Sequence, residues 1–300
     1  MNLAVTGAAG LLGQKLAERA AAAGHDVSRF DLIAAPQAGA GPVHHLDVSN
    51  RDDVKRTIGD LAPEWVLNTA AYTAVDAGEA NEERVRSVNV DGVSNLLEAA
   101  EGTGTRVLTL STDYVFDGRE GPYAEDVPRN PLGIYGASKA EMEDVVSENG
   151  GPHLVVRTMV LYGAAPGVRT NFGLWVLHKL QAGEEIRVVT DQLGNPTLAS
   201  DLARILLEMV EQSGSGLYNA VCADRVSRYE FAVRLAGTFG LDKEKIIPVT
   251  TGELGQDADR PLESGFILDH LREDFGIEPL DLERSLEIFK REAEEYGDSQ

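Results

Sequence analysis

The segment YGASK sets Tyr135 and Lys139 four residues apart. A polar, proline-bearing stretch (EDVPRNPLGI) precedes it, and a helical pattern (AEMEDVVSENGG) follows. The spacing predicts a phenol and an ammonium on one face of the first turns of a helix. A phenol titrates near pH 10 and is a poor proton shuttle at neutral pH. Lowering that value by two or three units takes about 3–4 kcal/mol of preference for the phenolate, which a nearby ammonium can supply in a half-buried site. Gly136 and Ala137 are small and are expected to leave room for a ligand. The strand-like run RVLTLST ends at Ser111 and Thr112, where a hydroxyl could hold a substrate oxygen in line with the phenol. Taken singly, a Tyr-x-x-x-Lys pair is most often a surface pair and a strand-end hydroxyl is most often a cap. Together, and behind a glycine turn, they predict proton transfer to or from an oxygen.

That turn is TGAAGLLG, which spaces Gly7, Gly10 and Gly13 between the first strand and the first helix. Glycines let the backbone turn tightly and approach a diphosphate. The helix opening at Leu11 and Leu12 offers free N–H groups and the positive end of its dipole. Asp31 follows at the end of the second strand, placed to accept both hydroxyls of an adenosine ribose. This favours NADH, although Arg29 nearby could pair with the 2′-phosphate of NADPH. Asp47 and Val48, in HLDVSN, are placed to meet the adenine edge, with a helix cap or turn role the alternative for Asp47.

These segments, together with NTAAYTAVD, VNVDG, STDYVFDG, Asn171–Phe172, VVTDQLGNPT and RPLESGFILD, resemble an extended short-chain dehydrogenase/reductase, in its dTDP-4-dehydrorhamnose reductase branch. The resemblance implies Thr112, Tyr135 and Lys139 as a catalytic trio. It implies Ala70, Ala71 and Tyr72 along the cofactor channel, and NADH or NADPH reducing a nucleotide-linked 4-keto-6-deoxy sugar. Asp113, Asn171, Gln192, Asn195 and Arg260 are the expected further substrate contacts. Two positions depart from the branch. Met159 and Val160 stand where Ser-Trp is usual, and Gln14 and Lys15 stand where some members carry a glutamate that helps bind a bridging magnesium, so no metal is expected. A nucleotide-sugar epimerase with bound NAD is the rival enzyme. A non-catalytic subunit similar to that of methionine adenosyltransferase is the rival outside enzymes. Asp113 is followed by Tyr114 and lacks the acid pair of a dehydratase.

The elements that must position these groups alternate strand and helix through the first half, which predicts an α/β, Rossmann-type doubly wound parallel sheet. A smaller C-terminal α/β substrate lobe is expected beside it. The division predicted is 1–163 with 198–221 for the dinucleotide domain and 164–197 with 222–297 for the lobe. HLVVRTMVLYG is expected to be one strand, and NEERVRSVNVDGVSNLLEAAEGTG one long helix. A formal charge of −22 argues against nucleic acid as a partner. Seven lysines against twenty arginines, with that acidic surplus, predict a protein suited to concentrated salt. The single Cys222 fits a reducing cytoplasm, and no apolar run is long enough to span a membrane. The partners expected are a nucleotide-sugar and, with room for it, a second copy in a homodimer.

Overall fold

Short Val- and Leu-rich runs form β1 (Asn2–Thr6), β2 (Asp26–Asp31), β3 (Val43–His45), β4 (Trp65–Asn68), β5 (Arg106–Thr112), β6 (Leu154–Thr158) and β7 (Gly216–Asn219). In the computed structural model, which describes residues 1–33, 41–255 and 259–296, they make one parallel sheet in the order β7-β6-β5-β4-β1-β2-β3. This is the doubly wound sheet expected. Every residue of β4 and β6 is buried, as strands covered on both faces must be. The winding reverses between β1 and β4, and the crevice at the carboxyl ends there is where such sheets take ligands.

Helices α1 (Leu11–Ala22), α2 (Arg51–Leu61), α3 (Gly92–Ala100), α4 (Gly133–Asn149), α5 (Phe172–Gln181), α6 (Ala199–Glu211), α7 (Arg228–Phe239) and α8 (Leu282–Tyr296) build the layers. On one face, Leu12 and Leu16 of α1 and Leu202 and Leu206 of α6 pack on Leu3, Val5 and Leu108. On the other, α2, α3 and α4 bring Val54, Ile58, Leu96 and Met142 against Ala4, Val66 and Val107. A separate core unites Leu177 of α5, Phe231 of α7 and Phe289 of α8 with the parallel pair Ile186–Val189 and Ile246–Val249.

Two expected elements are interrupted. HLVVRTMVLYG is a strand only to Thr158. The chain breaks at Met159–Val160, where Val160 takes φ +48°, and Leu161–Tyr162 leaves to pair with Thr197–Leu198. The long helix contains a π-helical turn at Ser87–Asp91 that splits Glu82–Arg86 from α3. Both breaks lie where the chain meets the cleft and the loop after β4, and π-bulges concentrate at such places.

Candidate active site

The end of β5 and the start of α4 meet side by side. Tyr135 hydrogen-bonds the Thr112 hydroxyl, and Lys139 Nζ donates to the Leu110 carbonyl at 3.0 Å. Thr112 Oγ1 in turn donates to Asp113 Oδ1 at 3.1 Å. α4 begins at Gly133, φ +69°, and the Glu79 carboxylate accepts from the Ile134 N–H at 2.9 Å, satisfying one open donor of that helix end. Gly136 has a different reason from the one expected. A side chain there would collide with the Tyr114 carbonyl at 2.2 Å, so its smallness serves the close approach of the 113–115 turn and leaves no ligand space. Ala137 is exposed.

The electrostatics also differ from expectation. Burial pushes the half-buried Tyr135 phenol up, and Asp113 and Tyr114 add to the rise, while the Thr112 hydrogen bond opposes it. The same desolvation pulls the Lys139 amine down to about 8. The ammonium therefore does not bring the phenol below its ordinary range in this arrangement. Burial dominates, and Tyr135 keeps its proton at neutral pH.

The glycine turn is shaped by close approaches. Gly7, at φ +73°, lies where a Cβ would be 2.5 Å from the Ala70 nitrogen, and a Cβ on Gly13 would be 2.2 Å from the Gly7 carbonyl. Gly10 caps α1 with no side-chain bond, and no acid stands in the first turn, where Leu11 is half-buried and Leu12 buried. That open, electropositive helix end fits a dinucleotide diphosphate. Asp31 accepts from the N–H of Ala9 (3.0 Å) and of Ile33 (3.2 Å), so its carboxylate also braces the turn. Arg29 is buried beneath it and donates to the Gly41 carbonyl at 2.7 Å.

Asp47 accepts from Ser49 N–H (2.9 Å) and Oγ (2.6 Å). Burial raises its carboxyl, but the bonds from Ser49 and the charge of Arg84 hold it below the usual range, the turn role considered as its alternative. Val48 turns its side chain into the core against Gly92. Ala70, Ala71 and Tyr72 follow β4, half-buried beside the turn. Their loop is held by residues that sequence reading missed. Asn68 Oδ1 accepts from Thr6 Oγ1 (2.7 Å) and the Ala70 N–H (3.2 Å). Asn89, on the π-helical turn, accepts from the Tyr72 N–H (2.8 Å) and donates to Ser138 (3.1 Å).

Beyond Tyr114, whose ring meets Tyr135 edge-on at 5.5 Å, a cleft is lined by Asp113, Tyr114, Val160, Gln192, Arg228 and Arg260. Asp113 is buried, its Oδ2 accepts from Ser264 Oγ at 2.8 Å, and desolvation raises its carboxyl. Arg260 ion-pairs with Asp76 at 2.7 Å, tying this wall to the loop after β4. Gln192 donates to Thr251 Oγ1 at 3.1 Å. Asn171 caps α5 by accepting from the Leu174 N–H at 3.2 Å and donates to the Gly163 carbonyl at 2.8 Å. Asn195 does not join the expected substrate contacts. Its amide is buried and bonded to the Cys222 and Asp224 carbonyls and the Phe266 N–H, so it fastens loops behind the cleft.

Arg228, not singled out from the sequence, opens α7 with its guanidinium over the Phe172 ring at 5.1 Å and faces Asp113 and Tyr114. Among the described residues it makes no ion pair, and desolvation lowers its pKa. No motif marks it, and only its position after the helix-capping Ser227 hinted at a helix start.

Residues 1–294 match the family described as RmlD substrate binding domain. A dTDP-4-dehydrorhamnose reductase of Aggregatibacter actinomycetemcomitans is 33% identical over 98% of this chain and 99% of its own. A probable low-salt glycan biosynthesis reductase of Haloferax volcanii is 28% identical over 98% of each. Among solved structures, dTDP-4-dehydrorhamnose reductase of Bacillus anthracis in complex with NADP superposes with a TM-score of 0.88 at 31% identity, covering 97% of this chain and 98% of that one. With the glycine turn, the Thr112–Tyr135 contact and the arginine-lined cleft on one sheet edge, and with this match over nearly its whole length, the chain belongs to the RmlD substrate-binding-domain family.

Proposed function

We propose that this chain is an NADH- or NADPH-dependent reductase of a dTDP-linked 4-keto-6-deoxy sugar, a dTDP-4-dehydrorhamnose reductase serving dTDP-rhamnose formation. The observation that carries it is Tyr135, hydrogen-bonded to Thr112 beside a cleft that holds two guanidiniums, Arg228 and Arg260, in a protein of net charge −22. A doubly negative nucleotide diphosphate needs local cations to enter so acidic a molecule.

The open end of α1 at Gly10 would hold the dinucleotide diphosphate and Asp31 the adenosine ribose. The reduced nicotinamide supplies a hydride when bound. Tyr135 gives its proton to the C4 carbonyl oxygen as general acid. Its raised pKa keeps that proton in place until the oxygen becomes basic. Thr112 positions the oxygen, and Lys139 would hold the nicotinamide ribose. Arg228, Arg260 and Gln192 hold the nucleotide-sugar. The core of α5, α7 and α8 supports assigning residues 164–197 and 222–297 to the substrate lobe, of which 256–258 and 297 lie outside the described residues.

Purified protein incubated with dTDP-4-dehydrorhamnose and each cofactor should consume nicotinamide absorbance and yield dTDP-rhamnose. No turnover with that substrate, alongside C4 epimerisation of a UDP-hexose with NAD, would overturn the reading. We place the enzyme in the cytoplasm of a cell with concentrated salt, as a homodimer. A melting temperature that rises with KCl through the molar range supports the salt assignment, and a flat or falling one removes it.

A further inference from the structure

Three consecutive residues of β5 are each fastened to one face of α4. Leu110 accepts from Lys139, Ser111 Oγ donates to Glu143 Oε1 at 2.5 Å, and Thr112 meets Tyr135. Tyr135, Lys139 and Glu143 recur every fourth residue and so form one stripe along the helix. Two of the three carry the chemistry proposed above. Glu143 has been given no part in it.

Glu143 is buried at 6% exposure and saturated with donors. Arg157 grips it with Nε at 2.8 Å and Nη2 at 2.7 Å, and Arg129 Nη1 stands 3.3 Å away. Arg157 is itself buried and donates to the Glu125 carbonyl at 3.1 Å. Arg129 is partly exposed and is shared with the surface carboxylate of Asp144. The charge that acts on the Lys139 amine is Glu143 on its own helix, and Arg157 from β6 and Arg129 from the loop before α4 grip that carboxylate. At this face of α4, β5 presents the Leu110 carbonyl to Lys139 and the Ser111 hydroxyl to Glu143. Glu143 is the anion of this set that favours the charged form of Lys139.

We propose that Glu143 is a positioning residue for the reaction, fixing α4 on β5 through Ser111 and holding Lys139 as the ammonium, with Arg129 as its opposing charge. The inference rests on the reading of Tyr135 and Lys139 as the reacting pair. Removing the carboxylate charge makes the ammonium easier to deprotonate. Removing the Arg129 charge makes it harder. A purely structural carboxylate would lower stability in both variants and leave protonation where it was.

The test is the pH profile of kcat/KM for reduction of the dTDP-linked keto-sugar by full-length protein. Glu143→Gln should move the alkaline limb down by about one pH unit, the scale of one close charge. Arg129→Gln should move it up by a smaller amount. Ser111→Ala should lower kcat by a few-fold with the limb unmoved, and Glu143→Asp should restore the limb toward wild type. Should Glu143→Gln fail to fold, the upward shift in Arg129→Gln, whose side chain is partly exposed, decides the matter. Limbs that coincide with wild type in the folded charge variants overturn the proposal. Tyr135→Phe run in parallel separates the two readings. Full activity in that variant sinks the reacting pair itself, whereas an inactive one with unmoved limbs sinks only the role of Glu143.

Discussion

At the turn after β1, the groups in reach of a diphosphate come from one stretch of chain. Gly7 to Gly13 are consecutive with α1, and Asp31 closes the turn from the next strand by accepting the Ala9 N–H. The cleft wall is assembled in the opposite way. Ser264 reaches Asp113 from 151 residues away, Arg260 reaches Asp76 from 184, and Arg228 arrives on a helix of the second core. The turn is a local conformation that glycines specify. The wall exists only once two cores have formed and docked. Val160, on that wall, is strained at φ +48°.

The comparison can be broken most sharply where the two regions meet. Tyr135→Phe keeps the ring against Tyr114 and removes the transferable proton, so turnover should fall by about two to four orders of magnitude. Cofactor affinity, measured by nicotinamide fluorescence, should hardly change. Retained turnover would show that the phenol is not the acid.

Arg228→Ala tests the wall alone. A hydrogen bond to a charged group contributes about 1.5–3 kcal/mol, so kcat/KM should fall about 10- to 150-fold. Most of the change should lie in KM for the sugar nucleotide. An equal loss of cofactor affinity would mean that wall and turn are not separable.

Asp31→Ala tests the turn alone. Wild type is expected to bind NADH at least as well as NADPH, and the variant should relax that ratio toward NADPH by several-fold. Titration showing that wild type binds NADPH far more tightly would leave Asp31 only its bracing bonds to Ala9 and Ile33.

The smallest effect lies in the scaffold under both. His153 is buried, accepts from the Val107 N–H at 3.1 Å and contacts Asn149 at 2.8 Å, and burial with the nearby Arg106 pulls its pKa below the ordinary 6.5. The folded state then binds this proton less readily than the unfolded chain. Its stabilisation is complete above about pH 6.5 and is lost as pH falls through the lower folded value. Melting temperature should drop on acidification through that window, by a few degrees at most. His153→Asn should flatten the drop. An unchanged slope in the variant would assign the acid sensitivity to carboxylates instead.

Much of the fold was legible because its signals are short-range. Alternating apolar strands and amphipathic helices predict a parallel sheet, and β7 at Gly216–Asn219 joins it at the edge beside β6. The misreadings share one cause. HLVVRTMVLYG and the 81–104 segment carry unbroken apolar patterns, and composition alone does not reveal a left-handed Val160 or a π-helical turn. Gly136 was legible as small, but not as small for the sake of the Tyr114 carbonyl. Asn195 carried the same polar signal as Gln192, and only packing separates a loop fastener from a cleft residue.

The sequence by itself determined the sheet, the glycine turn and the Tyr135–Lys139 pairing, because a helical period and a positive φ are properties of neighbouring residues. Tertiary structure alone decided which charges surround that pair. The Tyr135 phenol is raised, the Lys139 amine lowered to about 8, and Arg228 drawn into the cleft beside Asp113. Desolvation and Coulomb energy depend on what lies within a few ångströms in space, and the folded chain fills that space with residues remote along the sequence.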